Sequence, residues 1–152
     1  MLSTTEEPTE LHLPSVLDQV IDNLRTAYSN AVIQTDGGVP DIHVKSSDML
    51  DSVFRNLISN AVEHNDKEIP RVSISTEYSD STVLVKIVDN GPGIPDDCKE
   101  TIFERGEKGL ESSGTGLGLY LVKTLIDSHN GKVWVEDNEP DGAVFVVQLP
   151  CA

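Results

Sequence analysis

The chain is short of positive charge, of cysteine and of long apolar runs, and each shortage excludes something. Lys and Arg together number 11 against 26 Asp and Glu, a formal charge of −15 over 152 residues. A surface of that sign repels a phosphate backbone, so nucleic acid is not an expected partner. The two cysteines, Cys98 and Cys151, have no CxxC spacing, and the four histidines are scattered. That pattern speaks against a disulfide framework or a zinc site and for a reducing compartment, here expected to be cytoplasmic. No apolar run approaches the ~20 residues that span a bilayer. The N-terminus MLSTTEEPTE is polar and acidic and is not a secretory signal. There is no internal repeat.

What remains is a chain of one-domain length whose hydrophobic content, 38%, is enough for a core. Its acid is spread along the sequence and forms no terminal tail. Such a surface suits concentrated salt, where the Debye length falls to ~3 Å and self-repulsion is screened. With lysine sparse as well, a halophilic setting is expected, the alternative being an ordinary acidic cytosolic domain.

Residues 1–13 read as a flexible leader and 14–150 as one domain. Pro14-Ser15 opens a helix to about Ser29, with Val16, Leu17, Val20, Ile21 and Leu24 as its apolar stripe. Ala31–Gln34 and Asp41–Lys45 are short strand candidates. Leu50–Asn65 is a strong helix: Val53, Phe54, Leu57, Ile58 and Ala61 recur at three- and four-residue steps, and Ser47 or Asp48 can cap it. Arg71–Glu77 alternates as a half-buried strand and Val83–Val88 is more continuously apolar, as a central strand; together they read as a hairpin turned at Ser79-Asp80. A short helix is expected near Asp96–Phe103 and a longer one over Leu117–Ser128. Lys132–Glu136 and Ala143–Leu149 form a last hairpin. Three helices and about five hairpin-linked strands predict an α+β fold with the helices on one face of the sheet.

Three stretches carry chemistry. Asn56 and Asn60 lie four apart on one helix face. Asparagine costs ~0.5 kcal/mol against alanine within a helix, so two in register call for a use. Their amide oxygens are hard neutral ligands, suited to an Mg²⁺ that keeps waters and shares phosphates. Asp89-Asn90-Gly91-Pro92-Gly93-Ile94 follows a central strand, where a carboxylate beside glycines can meet a flat ligand and accept from an exocyclic amine. The same residues are also good turn chemistry. Gly114-Thr115-Gly116-Leu117-Gly118-Leu119 opens a helix, whose N-terminus favours anions. It matches neither the dinucleotide fingerprint nor the P-loop.

Taken in this order, the stretches resemble the ATP-binding domain shared by histidine kinases, DNA gyrase, heat-shock chaperones and mismatch-repair ATPases. The resemblance covers roughly residues 11–150. Within that group the details look like a sensor histidine kinase. NLISNA is similar to the asparagine box and Ile102-Phe103-Glu104-Arg105 to the phenylalanine box. LYLVKTLIDSHN followed by Gly131 is similar to the helix after the second glycine box. The resemblance implies the two-layer Bergerat fold, a mixed and mostly antiparallel sheet with three helices on one face.

It also implies roles. Asn60 would hold Mg²⁺, with Asn56 supporting metal and phosphates. Asp89 would hold the adenine amine, with Gly91, Gly93, Ile94 and His64 about the base. Arg105 and Lys108 would be phosphate-binding cations of a lid over residues 104–114, hinged at Phe103. Gly114, Thr115, Gly116, Leu117 and Gly118 would admit the phosphates. Glu63 departs from the pattern, standing where a basic residue is usual, and so does Ala143, where a hydroxyl is usual. Gyrase and the chaperones carry a glutamate base four residues before the metal asparagine. That position is Asn56 here, so no residue of the chain would act as a base.

The implied activity is phosphoryl transfer from Mg-ATP to a histidine on an upstream dimerisation domain, with a response regulator as the next partner. The parent protein could be membrane-bound while this portion is soluble. His12 does not sit in an amphipathic helix beside an acid, as a phosphoacceptor would. Two other classes share the pattern: an anti-sigma-factor type of serine kinase, and a non-catalytic nucleotide-binding module.

The charge pattern makes one prediction. The melting temperature should rise as KCl is taken to molar levels in a thermal melt; a flat or falling value would contradict a halophilic surface.

Overall fold

The computed structural model describes residues 8–104 and 118–152. In chain order the elements are β1 (Thr9–His12), α1 (Leu13–Ala27), β2 (Val32–Thr35), β3 (His43–Ser46), α2 (Leu50–Glu63), β4 (Arg71–Ser79) and β5 (Thr82–Asp89). After two 3-10 turns, Asp96–Cys98 and Thr101–Phe103, come α3 (Gly118–Asp127), β6 (Lys132–Asp137) and β7 (Ala143–Pro150). The main sheet has the order β2-β4-β5-β7-β6. Only β2 and β4 pair in parallel; β4–β5, β5–β7 and β6–β7 are antiparallel. This is the α+β, mostly antiparallel five-stranded arrangement anticipated from the sequence.

Residue pattern explains the layers. Along β5 the odd positions Val83, Val85, Ile87 and Asp89 are buried and the even ones are not, the period of two of a sheet with one covered face. On α1, Leu13, Leu17, Val20, Ile21 and Leu24 are buried. On α2, Val53, Phe54, Leu57, Ile58 and Ala61 are. α2 sits between α1 and α3 and packs on β4 and β5, while α1 reaches β2 and α3 reaches β6. Its asparagine face is thereby held over the end of β5.

Several local expectations change. Thr9–His12, placed in the leader, forms a strand antiparallel to β3, with Leu11 opposite Val44 and His12 opposite His43. Four largely exposed residues carry too little periodicity to announce a strand; the partner 31 or more residues away creates it. α1 begins at Leu13, so Pro14 falls in the first turn, where its missing N–H costs nothing. Met49 is the residue before α2, and the Ser47 hydroxyl accepts the Met49 N–H at 3.1 Å instead of capping the helix itself. The helix expected near Asp96–Phe103 is two 3-10 turns. The expected start of the last helix, Leu117, lies outside the described residues, and α3 runs from Gly118. Beyond it, Gly131 lets the chain pass tightly under β7. A Cβ there would lie 2.8 Å from both Gln148 O and Ile126 Cγ2.

Gly131→Ala should therefore cost about 1–3 kcal/mol, as overpacking does, read as a lower urea midpoint. An unchanged midpoint would show that this passage is slack.

Candidate functional site

A cavity of about 240 Å³ opens where α2 crosses the end of β5. α2 supplies Asn60 and Ala61, and His64 follows at its C-terminal end; β5 ends on Asp89. The following loop supplies Pro92 to Pro95, the 3-10 turns Cys98 and Ile102, and β7 Ala143 and Phe145. The walls are mainly apolar, with Asn60 and Asp89 as polar groups within them, the usual make-up of a small-ligand site. Both are only 8% exposed.

Asp89 is the last inward-facing residue of β5, so the strand's alternation aims its carboxylate into the core side of the sheet. Its Oδ1 accepts two backbone N–H groups, from Gly91 at 2.9 Å and from Ala143 at 3.2 Å. Burial pushes the carboxyl pKa up; the two backbone donors and the more distant Lys67 charge pull the other way. With Oδ1 engaged, Oδ2 carries the acceptor capacity left for a ligand donor.

The glycines around it are spatial requirements. Gly142 has φ +102°, and a Cβ there would fall 2.0 Å from the Asp89 carbonyl oxygen. Gly93 has φ +82°, a backbone that favours glycine. The wider frame is polar. The Asn138 amide donates to the Asp89 carbonyl at 3.1 Å and to Asp141 O at 2.9 Å. Asn65 donates to Asn90 at 2.7 Å, which also accepts Arg71 N–H at 2.9 Å. Lys99 donates to Ile94 O at 2.9 Å and pairs with Asp96 and with Asp137, the latter at 3.0 Å, fastening the loop to β6.

The second asparagine stands near the start of α3. Asn56 spends its amide nitrogen on Ser52 O at 2.9 Å, and a Cβ on Gly118 would sit 3.3 Å from its Oδ1. Gly118 thus lets α3 begin against Asn56. His64 lines the cavity with a buried Nε2 that has no hydrogen-bond partner among the described residues. Phe103 packs edge-on to Phe145, centroids 6.1 Å apart, which ties the 3-10 turn to β7. Among the described residues no three His, Cys, Asp or Glu side chains cluster as a metal site. An amide donor set of the Asn56–Asn60 kind is a hard, neutral one that suits a hydrated Mg²⁺ shared with phosphates.

Of the residues singled out in the sequence, Asn60, His64, Asp89, Gly93 and Ile94 line one cavity. Gly91 holds Asp89, and Asn56 and Gly118 meet beside α2. Arg105, Lys108, Gly114, Thr115, Gly116 and Leu117 lie outside the described residues. Ala143, a departure by its side chain, reaches Asp89 through its backbone N–H. Asn138 and Lys99 were not singled out, because DNEPDG reads only as a turn and Lys99 only as a surface charge.

Residues 45–152 match the family described as histidine kinase-, DNA gyrase B- and HSP90-like ATPase, and the chain belongs to that family. Among curated relatives it is 34% identical over 139 residues to cyanobacterial phytochrome A of Nostoc sp., covering 88% of this chain and 18% of that protein. It is 31% identical over 148 residues to the adaptive-response sensory kinase SasA of Rippkaea orientalis, covering 93% of this chain and 38% of the kinase. The chain thus spans well under half of these relatives. Among solved structures it is similar to the nucleotide-free catalytic domain of histidine kinase ThkA, with TM-score 0.83, 30% identity and 95% of each chain covered. It is likewise similar to the mycobacterial sensor histidine kinase MprB, with TM-score 0.83, 25% identity, and 95% and 97% covered.

The buried acid makes a stability prediction. Its raised pKa means that the fold prefers the protonated carboxyl: that contribution is full below the ordinary carboxylate range and is lost as pH rises through the raised value. Asp89→Asn keeps an oxygen for Gly91 and Ala143 and removes the charge. At pH 7 it should melt higher than the parent chain, with the difference shrinking in acid. A lower melting temperature at pH 7 would contradict this.

Proposed function

We propose that this domain binds Mg-ATP and donates the γ-phosphoryl group to a histidine on a separate dimerisation and phosphoacceptor domain, as part of two-component signalling. The observation that carries the reading is the pairing of Asp89 and Asn60 in one largely apolar cavity, an acceptor for a purine amine beside a hard oxygen ligand. Family membership supports it.

Asp89 Oδ2 accepts a hydrogen bond from the exocyclic amine of adenine, while the base lies against Ile94, Ala143 and Phe145, with His64 at its flank. Gly91 holds Asp89 in place through its N–H, and Gly93 lines the cavity beside the base. Asn60, supported by Asn56, holds the magnesium ion, which neutralises charge on the triphosphate when bound. The triphosphate then runs toward the start of α3 at Gly118, and sequence resemblance adds Gly114, Thr115, Gly116, Leu117, Arg105 and Lys108 as its further partners.

No glutamate precedes Asn60 by four residues; Asn56 holds that place. General-base assistance of ~10²–10⁴-fold to a water nucleophile is therefore missing, and hydrolysis is slow. Transfer depends instead on positioning and on charge neutralisation. A response regulator is the expected next recipient: ThkA has been solved in complex with the response regulator protein TrrA.

The test is transfer of label from γ-labelled ATP to an added histidine-bearing hairpin domain. Transfer should require Mg²⁺, and Asn60→Ala should lower its rate by about 100-fold or more. Undiminished transfer by that variant, or transfer that ignores chelation of Mg²⁺, would overturn the assignment.

A further inference from the structure

Glu63 stands near the end of α2, three residues past Asn60 and one before His64, both of which line the cavity. Side chains three apart on a helix are neighbours, their Cβ atoms about 5–6 Å apart. A free carboxylate here would face the metal and phosphate end of the site with the wrong charge. The structure shows where that carboxylate goes. The Tyr28 hydroxyl donates a hydrogen bond to Glu63 Oε2, and Glu63 is absent from the residues that line the cavity.

Tyr28 is well placed to hold it. It terminates α1, its backbone N–H donating to Leu24 O at 2.8 Å, and its ring packs against the hydrophobic core. Burial, then the hydrogen bond to Glu63, pushes the phenol pKa up to about 12, so the hydroxyl stays a donor through the neutral range. The contact joins the ends of two helices 35 residues apart in sequence.

Resting on the proposed Mg-ATP site, we propose that Tyr28 is a positioning residue for nucleotide binding: by tethering the Glu63 carboxylate to the end of α1 it keeps that charge off the triphosphate. Glu63 is then neither a phosphate ligand nor a metal ligand in this domain, and its unfavourable sign is neutralised by direction. The role belongs to Tyr28's hydroxyl and not to its ring.

A fluorescent ATP analogue titrated in Mg²⁺ against four proteins tests this: the parent chain, Tyr28→Phe, Glu63→Gln and the double variant, each at low salt and in molar KCl. Tyr28→Phe keeps the ring in the core and frees the carboxylate, and should raise Kd by about 3- to 10-fold at low salt. The double variant should return to the parent affinity, because the freed side chain no longer carries charge. The loss should fade in molar KCl, where charges beyond ~3 Å are screened. Glu63→Gln alone should bind like the parent, since its charge is already turned away.

A parent-like Kd for Tyr28→Phe, a double variant as weak as the single, or a loss indifferent to salt would overturn the inference and leave Mg-ATP binding standing. Marked tightening by Glu63→Gln alone would overturn it too, by showing that the carboxylate already acts on the nucleotide. A parent chain that binds no nucleotide would overturn the proposed function and this inference together.

Discussion

A carboxylate held at the end of a central strand by two backbone N–H groups is the constraint on which the rest of the structure hangs. Burying Asp89 is unfavourable unless its oxygens are met. Gly91 and Ala143 meet one of them, one from the loop that follows β5 and one from the strand that pairs with it. That double engagement fixes the distance between the loop and β7, and with it one side of the cavity. Gly142 must lack a side chain because the Asp89 carbonyl already occupies its place, and Asn138 completes the frame from the turn between β6 and β7. The other side is α2, whose position is set by core packing. The cavity wall and the fold thus share residues, and burial pushes the Asp89 carboxyl pKa up while its two backbone donors pull it down.

Charge is the second theme. Under the proposed function a domain of −15 receives an anionic triphosphate, and the local arrangement of charge suits that task. In the proposed function Asn56 and Asn60 serve as ligands without charge. Asp89, in the same proposal, addresses the base and not the phosphates. Lys99, the least exposed of the ion-paired lysines among the described residues, is committed to Asp96 and Asp137 in holding the loop. Glu63, whose sign is wrong for the site, is bound to Tyr28. Each choice moves negative charge away from one end of one cavity while the surface as a whole stays acidic.

Much of this was legible in the sequence, and the reason is distance along the chain. α2 declares itself through Val53, Phe54, Leu57, Ile58 and Ala61, and its two asparagines stand out because they are poor residues there. Asp89 is marked by the end of an apolar central strand and the glycines after it. These signals are local. What the sequence conceals is made by partners far apart. β1 exists through β3, Asn138 reaches Asp89 across 49 residues, and Tyr28 reaches Glu63 across 35. Glu63 and Ala143 looked like losses for the same reason. A backbone N–H at 143 and a tyrosine on another helix are not visible in a pattern of side chains.

The central claim is that a single carboxylate reads a purine amine. It is tested most directly by comparing the affinities of ATP and inosine triphosphate in Mg²⁺ by calorimetry. Inosine presents an acceptor oxygen where adenine presents its amine, so it would set two acceptors against each other in a buried site. An unmade buried hydrogen bond of this kind is worth about 1–3 kcal/mol. ATP should therefore bind about 5- to 150-fold more tightly, and equal affinity for the two would contradict the account.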